Sequence, residues 1–163
     1  MTALDFWKTA HVVSGALLLG TGLGIAFTCY AGYRIALAKD GIGALRATLR
    51  LTVMGDACFT APAVIFQVVS GLVLMHLLGW PWVSPWSLSV FGLYVLVGAC
   101  WLPVVYIQMR LSREADRCNS VSSLPPWFHR WIAVWMMLGV PAFSGVLVLY
   151  YLMVAKPLRV AGM

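Results

Sequence analysis

The stretch that decides the fold is residues 9–33, TAHVVSGALLLGTGLGIAFTCYAGY, which contains no Asp, Glu, Lys or Arg. About 20 consecutive apolar residues are enough to span a bilayer as a helix, so the run predicts a transmembrane helix. It is longer than the ~7–15-residue apolar core of a cleaved signal peptide, which favours a retained span. Its one histidine, His11, lies near its start.

The whole chain has the composition of a membrane protein. Hydrophobic residues make up 62% of it and charged residues only 10%, whereas soluble domains carry roughly 25% charged residues. A length of 163 residues predicts a single domain. The formal charge of +6 does not indicate nucleic-acid binding, because the basic residues concentrate in two short loops and at the chain ends, as in membrane proteins.

Hydropathy predicts three further spans and an all-α bundle of four transmembrane helices. The uncharged stretch 57–109 is too long for one span, and GWPWVSP at 79–85 breaks it, because proline ends helices and glycine permits a turn. The predicted helices cover about residues 6–37, 56–78, 85–110 and 128–156. Residues 44–54 are predicted to form a separate amphipathic helix on the inner leaflet. Asp56 is expected to cap the second span or to pair with a nearby arginine, and the alternative is that it relays protons from the cytoplasm.

Charge asymmetry predicts the orientation. The turn between the second and third spans has no basic residue, whereas the other two loops and their flanks carry Arg34, Lys39, Arg46, Arg50, Arg110, Arg113, Arg117 and Arg130. The positive-inside rule therefore predicts cytoplasmic basic loops with both termini outside, as expected for a multi-pass protein of the bacterial inner membrane.

Two rows of small residues run along the first predicted helix. One row, spaced by four, comprises Ala16, Gly20, Gly24, Thr28 and Gly32, and such rows allow helices to pack closely, either within the bundle or between protomers of a homo-oligomer. The second places His11, Gly15 and Gly22 on one face. The glycines beside the histidine leave room for a flat ring, as a haem-binding helix needs, or for close helix packing.

Two histidines are expected at similar depth in the outer half of the membrane, His11 on the first span and His76 on the second. Ionisable residues inside a membrane are costly and usually functional, and haem iron is commonly held by His. We therefore expect His11 and His76 to be axial ligands of a haem b. Lys8, Lys156 and Arg159 would pair with its propionates. The alternative is that His76 and Lys156 only extend to the membrane surface.

Copper is the competing metal. Met75 beside His76, and Met153 near the end of the last span, offer thioether and imidazole groups, which suit copper. The sequence contains no GxSxG, Walker or HExxH motif, so hydrolase and nucleotide-driven transport functions have no support.

Four segments carry a family resemblance, namely AHVVSGALLLGTGLG at 10–24, GDACFTAPAVIFQVVSGLVL at 55–74, WLPVVYIQMR at 101–110 and YLMVAKP at 151–157. In this order they resemble a bacterial family of predicted four-helix integral membrane proteins of unassigned function. More distantly, the chain is similar to HemJ-type protoporphyrinogen oxidases and to CopD-like membrane proteins. The HemJ-type resemblance implies a bound haem b and a flavin-free oxidation that passes electrons onward, with His11 and the Lys156-Pro157 pair matching that family's motifs.

The sequence therefore predicts a haem b-binding redox membrane protein that exchanges electrons with a quinone or a membrane partner. The alternatives are a non-catalytic accessory subunit of a larger membrane complex and copper handling at the outer face.

Overall fold

A computed structural model describes residues 2–155, and within that range the chain folds into four long helices without a strand. The bounds are α1 at Ala3–Lys39, α2 at Ile42–Leu77, α3 at Pro85–Arg117 and α4 at Pro126–Ala155. All four are long and apolar enough to cross a membrane. The predicted all-α fold with four spans is confirmed.

The four helices run alternately up and down, so the bundle has two distinct ends. The α1–α2 and α3–α4 connections, with the eight basic residues in and around them, form what we call the basic end. The start of α1 and the α2–α3 turn form the far end.

Local sequence signals explain where the helices begin and turn. The hydroxyl of Thr2 accepts a hydrogen bond from the amide of Asp5, whose carboxylate accepts one from the amide of Thr2, a reciprocal cap for the start of α1. Ser84 caps α3 in front of Pro85 with a single bond, in which its hydroxyl accepts from the amide of Ser87 at 3.1 Å. Gly79 has a φ of 60°, which a residue without Cβ adopts readily, and it turns the chain out of α2.

The second helix begins earlier in the chain than the sequence predicts. It begins at Ile42 rather than near Asp56, and it continues to Leu77 with only a π-helical turn at Asp56–Thr60. Residues 44–54 are therefore the start of the same continuous helix and not a separate helix on the leaflet. The reason is tertiary: Arg46 donates to the carbonyls of Ala115 and Cys118 at the end of α3, where a cation is favourable.

The α3 helix continues past Arg110, as the mixed charges of residues 113–117 predict for a solvated helical extension with local ion pairs. It ends at Arg117, and its last turns carry an ion pair between Arg117 and Glu114 at 3.7 Å. Arg50 of α2 pairs with Asp116 at 2.9 Å, so this extension is tied to the rest of the basic end.

The apolar core lies in the half of the bundle toward the basic end. It contains Cys29, Tyr33, Ala36, Leu45, Leu49, Ile107, Leu111, Ala115, Phe128, Ile132 and Trp135, with loop residues Cys118, Val121 and Leu124. Toward the far end, polar contacts join the helices. The indole of Trp86 donates to the carbonyl of Leu152 at 2.8 Å, and the hydroxyl of Tyr94 donates to the carbonyl of Val64 at 2.6 Å. This polar half contains the predicted site.

Candidate functional site

The imidazole of His11 lies between α1 and α2, half-buried, about 12 Å along α1 from its first residue. Its Nδ1 is 2.7 Å from the hydroxyl oxygen of Ser70, a side chain with no exposed surface. Its Cε1 is 3.5 Å from the position that a Cβ of Gly71 would occupy, so the ring packs against the α2 backbone.

The hydrogen bonds of Ser70 fix the tautomer of His11. The hydroxyl of Ser70 lies 2.6 Å from the carbonyl oxygen of Phe66, and a carbonyl can only accept, so the single hydroxyl proton is donated there. Ser70 must then accept from Nδ1–H of His11. The lone pair of the neutral ring is consequently on Nε2, the form in which an imidazole binds a metal or accepts a proton.

A second polar side chain of α2 lies directly beside this contact. The amide nitrogen of Gln67 donates to the carbonyl of His11 at 2.7 Å and to the hydroxyl of Ser14 at 3.1 Å. These bonds occupy the backbone next to the histidine and hold α1 and α2 in register. With Ser70, they make a compact polar cluster, which we call the His11 cluster: His11, Ser14, Gln67 and Ser70.

Gly15 makes room for side chains of the bundle and not for an empty cleft. A Cβ at Gly15 would lie 2.8 Å from the hydroxyl of Tyr150 and 3.0 Å from Nε2 of Gln67. These contacts fit the close-packing alternative for Gly15, whereas its use as a floor for a flat ring stays a prediction. Around the Cβ position of Gly22, in contrast, no atom of the described residues lies within 4 Å.

Within residues 2–155, the other side chains that were predicted to bind the haem do not lie beside His11. His76 is exposed near the end of α2. It follows Gly71, which faces His11, by five residues, a rotation of about 140° on a helix with 3.6 residues per turn. Lys8 is exposed on the first turns of α1. Lys156 and Arg159 lie outside the described residues, and no group of three His, Cys, Asp or Glu that could hold a metal is found within residues 2–155.

A second polar cluster lies toward the basic end, around Asp56. Asp56 is only 6% exposed and lies in the π-helical turn of α2, a feature frequent at functional sites. Its carboxylate accepts from the amide of Gln108 at 2.7 Å and from the indole of Trp101 at 3.3 Å. The indole of Trp135 donates to Gln108 in turn, at 3.4 Å.

The predicted roles of Asp56 as a helix cap or an arginine partner are wrong. The helix continues through it, and among residues 2–155 the arginine ion pairs go to Asp116 and Glu114. Its partners are neutral donors on α3, which can hold a carboxyl group without a counter-charge.

The two clusters lie on one face of α2. Asp56, Thr60, Gln67 and Ser70 are separated by four, seven and three residues, which keeps them aligned along a helix; we call them the polar stripe. The spacing of the polar stripe could be recognised in the sequence. Which residues of α1 and α3 form hydrogen bonds with it depends on how each helix is rotated in the bundle. The hydroxyl of Thr60 is buried without a hydrogen-bond partner among the described residues, as is that of Tyr150.

Fold and site together define a multi-pass membrane protein whose interior carries a tautomer-fixed histidine and a buried carboxylate. Among known sequences, a family model described as "Predicted integral membrane protein (DUF2269)" matches residues 5–157, and the chain belongs to this family. The predicted membership of such a membrane family is confirmed. No curated protein and no solved structure matches the chain, so the likeness to HemJ-type and CopD-like proteins gains no support.

Proposed function

We propose that this chain is a haem b-binding redox protein of the bacterial inner membrane, in which Nε2 of His11 ligates the iron. The observation that carries the proposal is the hydrogen bond from Nδ1 of His11 to Ser70. It leaves the lone pair on Nε2, and metal-ligating histidines typically donate their other ring N–H to a fixed acceptor.

The buried hydroxyl of Tyr150 supports a bound group near this ring. It lies next to Gly15, one turn below His11, and no described residue accepts from it. A buried donor without an acceptor costs about 1–3 kcal/mol, and an oxygen of a ligand beside His11 would remove that cost. Because His76 is on another face of α2, the proposal keeps His11 as the protein ligand of the described residues and does not require His76.

The haem, when bound, supplies one-electron oxidation and reduction. Ser70 keeps the imidazole of His11 in one orientation and one tautomer, and Gln67 fixes the backbone carbonyl of the same residue. Such outer partners raise the basicity of the ligand. The polar stripe leads from Ser70 toward the carboxylate of Asp56 at the basic end and offers acceptors for protons that accompany electron transfer to or from a quinone or a membrane partner.

Porphyrinogen oxidation of the HemJ type is one reaction that such a site would serve. The Lys156-Pro157 pair that carries this resemblance lies outside the described residues. Copper receives less support than haem, because Met75 is buried while the adjacent His76 is exposed, so the two side chains do not present a joint thioether and imidazole site.

An optical spectrum of the purified, detergent-solubilised protein tests the proposal. Cells supplied with a haem precursor should yield a red protein whose Soret band shifts on reduction with dithionite. His11→Ala should lose the band and regain it when imidazole is added, because the free imidazole replaces the missing ligand. His76→Ala is the matched control and should keep the wild-type spectrum. A folded, colourless wild-type protein, or a band that survives His11→Ala, would exclude this function.

A second candidate, an accessory subunit of a larger membrane complex, is favoured by a different observation. Gly20 and Gly24 of α1 are exposed, with no atom of the described residues within 4 Å of a Cβ at either position. Ala16 and Thr28 of the same row are also exposed. An outward row of small residues is the surface on which transmembrane helices associate, whether with another protein or with a second copy of this chain.

A further inference from the structure

An open groove separates α1 from α4 at the basic end, away from the His11 cluster. Its volume is about 820 Å³, within the roughly 300–1,000 Å³ of small-molecule sites. Its lining comes from two helices, with Tyr30, Tyr33, Arg34, Leu37 and Ala38 on α1 and His129, Ile132, Ala133 and Met136 on α4.

One end of this groove presents hydrogen-bond donors and a positive charge. The guanidinium of Arg34 is exposed, and its hydrogen bond goes to the neutral hydroxyl of Tyr30 at 3.1 Å. Among residues 2–155 no carboxylate pairs with Arg34, and none lines the groove. The charge is therefore available to an anionic ligand, for which a guanidinium offers several N–H groups in a fixed geometry.

On the α4 wall of the groove, the ring of His129 is held in place by a hydrogen bond to Tyr33. Nδ1 of His129 and the hydroxyl of Tyr33 are 2.6 Å apart. A phenol that donates to Nδ1 leaves the ring proton on Nε2, so that nitrogen is a donor for an oxygen in the groove. The buried Tyr33 thus couples the α4 wall to the α1 wall that carries Arg34.

Apolar side chains of α4 continue the groove from these donors into the membrane, and Leu37 and Ala38 line it toward the basic end. Since α4 runs from the basic end into the membrane, Ile132, Ala133 and Met136 lie progressively deeper than His129. A ligand with oxygen acceptors at one end and a hydrocarbon chain at the other would match both parts. The groove is open to the outside of the bundle, so such a ligand can reach it without passing through the protein interior.

We propose that this groove binds the headgroup of an anionic phospholipid of the leaflet at the basic end, with its phosphate at Arg34 and His129. The uncompensated charge of Arg34 favours an anion over a neutral headgroup, and basic pockets between transmembrane helices bind anionic headgroups on the cytoplasmic side of membranes. The groove and its ligand are independent of any haem at His11.

Native mass spectrometry of the full-length protein in detergent, titrated with phosphatidylglycerol or phosphatidylcholine, tests this site. One phosphatidylglycerol should bind in preference to phosphatidylcholine. Arg34→Gln should weaken its binding about tenfold, because a charge-assisted contact to phosphate is lost. The matched control is Arg130→Gln. Arg130 carries the same charge at the same end of the bundle, but its side chain does not line the groove. This variant should change the affinity by less than about twofold.

A steric variant separates the groove from general attraction to basic surfaces. Ala133→Phe fills the apolar wall without changing charge and should weaken phosphatidylglycerol binding as strongly as Arg34→Gln. Equal effects of Arg34→Gln and Arg130→Gln would overturn the proposal, because they would indicate attraction to the whole basic end. So would displacement of the lipid by a short-chain quinone combined with no effect of Arg34→Gln, which would assign the groove to a neutral ligand.

Discussion

Nδ1 of His11 and the hydroxyl oxygen of Ser70 are 2.7 Å apart, although 59 residues separate them in the chain. The contact joins the first span to the second in the half of the bundle that lacks the apolar core. Because Ser70 already donates to Phe66, the contact also determines which nitrogen of His11 carries the proton. A packing contact between two helices therefore sets the chemistry available at Nε2.

Replacing Ser70 by alanine should remove both the hydrogen bond between the two helices and the preference of His11 for one tautomer. We expect Ser70→Ala to lower the free energy of unfolding by about 0.6–1.7 kcal/mol, from the average to the maximum measured for interhelical hydrogen bonds in membranes. In ¹⁵N NMR of histidine-labelled protein, the His11 signals should move from the Nδ1–H form toward a mixture of tautomers. Ser89→Ala is the control, because Ser89 makes the same bond to a carbonyl four residues earlier, at 2.8 Å, without a histidine. An unchanged His11 signal in Ser70→Ala would contradict the assigned tautomer.

How much of this site the sequence could predict depends on whether the signal is local. The depth of His11 and the break at 79–85 follow from hydropathy and from proline and glycine. Ser70 was not recognised, because a serine inside an apolar helix usually bonds to its own backbone, and only the rotation of α2 against α1 brings it to the imidazole. Gly15 could be predicted to lie at a close contact, but not that Gln67 and Tyr150 would be its neighbours.

The arginines of α2 show the same limit at the basic end. Read alone, Arg46 and Arg50 are one turn apart and indicate a helix lying on the membrane surface. In the structure they contact residues 69 and 66 positions further along the chain, at Ala115 and Asp116. No local pattern contains these partners, so the start of the span and the surroundings of Asp56 could not be derived from the sequence.

Gly15 should be intolerant of any side chain. In Gly15→Ala the new methyl group would be 2.8 Å from the hydroxyl of Tyr150, and overpacking of this kind costs about 1–3 kcal/mol. Tyr150→Phe in the same protein should recover part of that loss, because the ring carbon behind the hydroxyl is 3.4 Å away, an ordinary contact. Gly22→Ala, on the same helix with open space around it, should be nearly neutral. Thermal unfolding of the four proteins in detergent measures these differences, and an equal loss in both glycine variants would refute the close packing at Gly15.

The partners of Asp56 should be coupled to it. Gln108→Leu removes the 2.7 Å donor from a carboxylate that is almost wholly buried, and we expect a loss of about 1–3 kcal/mol in unfolding free energy. The double variant Asp56→Leu, Gln108→Leu should be more stable than Gln108→Leu alone, because removing a buried carboxylate that has lost its 2.7 Å donor gains more than is lost with the longer, 3.3 Å contact from Trp101. Unfolding by sodium dodecyl sulfate provides the four free energies of the cycle. Additive losses would mean that the two side chains do not interact.

The outward row on α1 predicts association through Gly24. Gly24→Leu places a large side chain where two helices would approach closely, so it should abolish cross-linking or co-purification with the partner. The monomer should remain folded, because nothing within the described bundle contacts this position. Gly92→Leu is the control. Gly92 is also exposed, with open space around it, but its neighbours four residues away on either side are Leu88 and Leu96, so it lies in no row of small residues spaced by four. Size-exclusion chromatography with light scattering, at several ratios of detergent to protein, reports the masses. A wild-type protein that is monomeric and alone at every ratio, or equal loss of association in both variants, would show that the exposed glycines of α1 face lipid only.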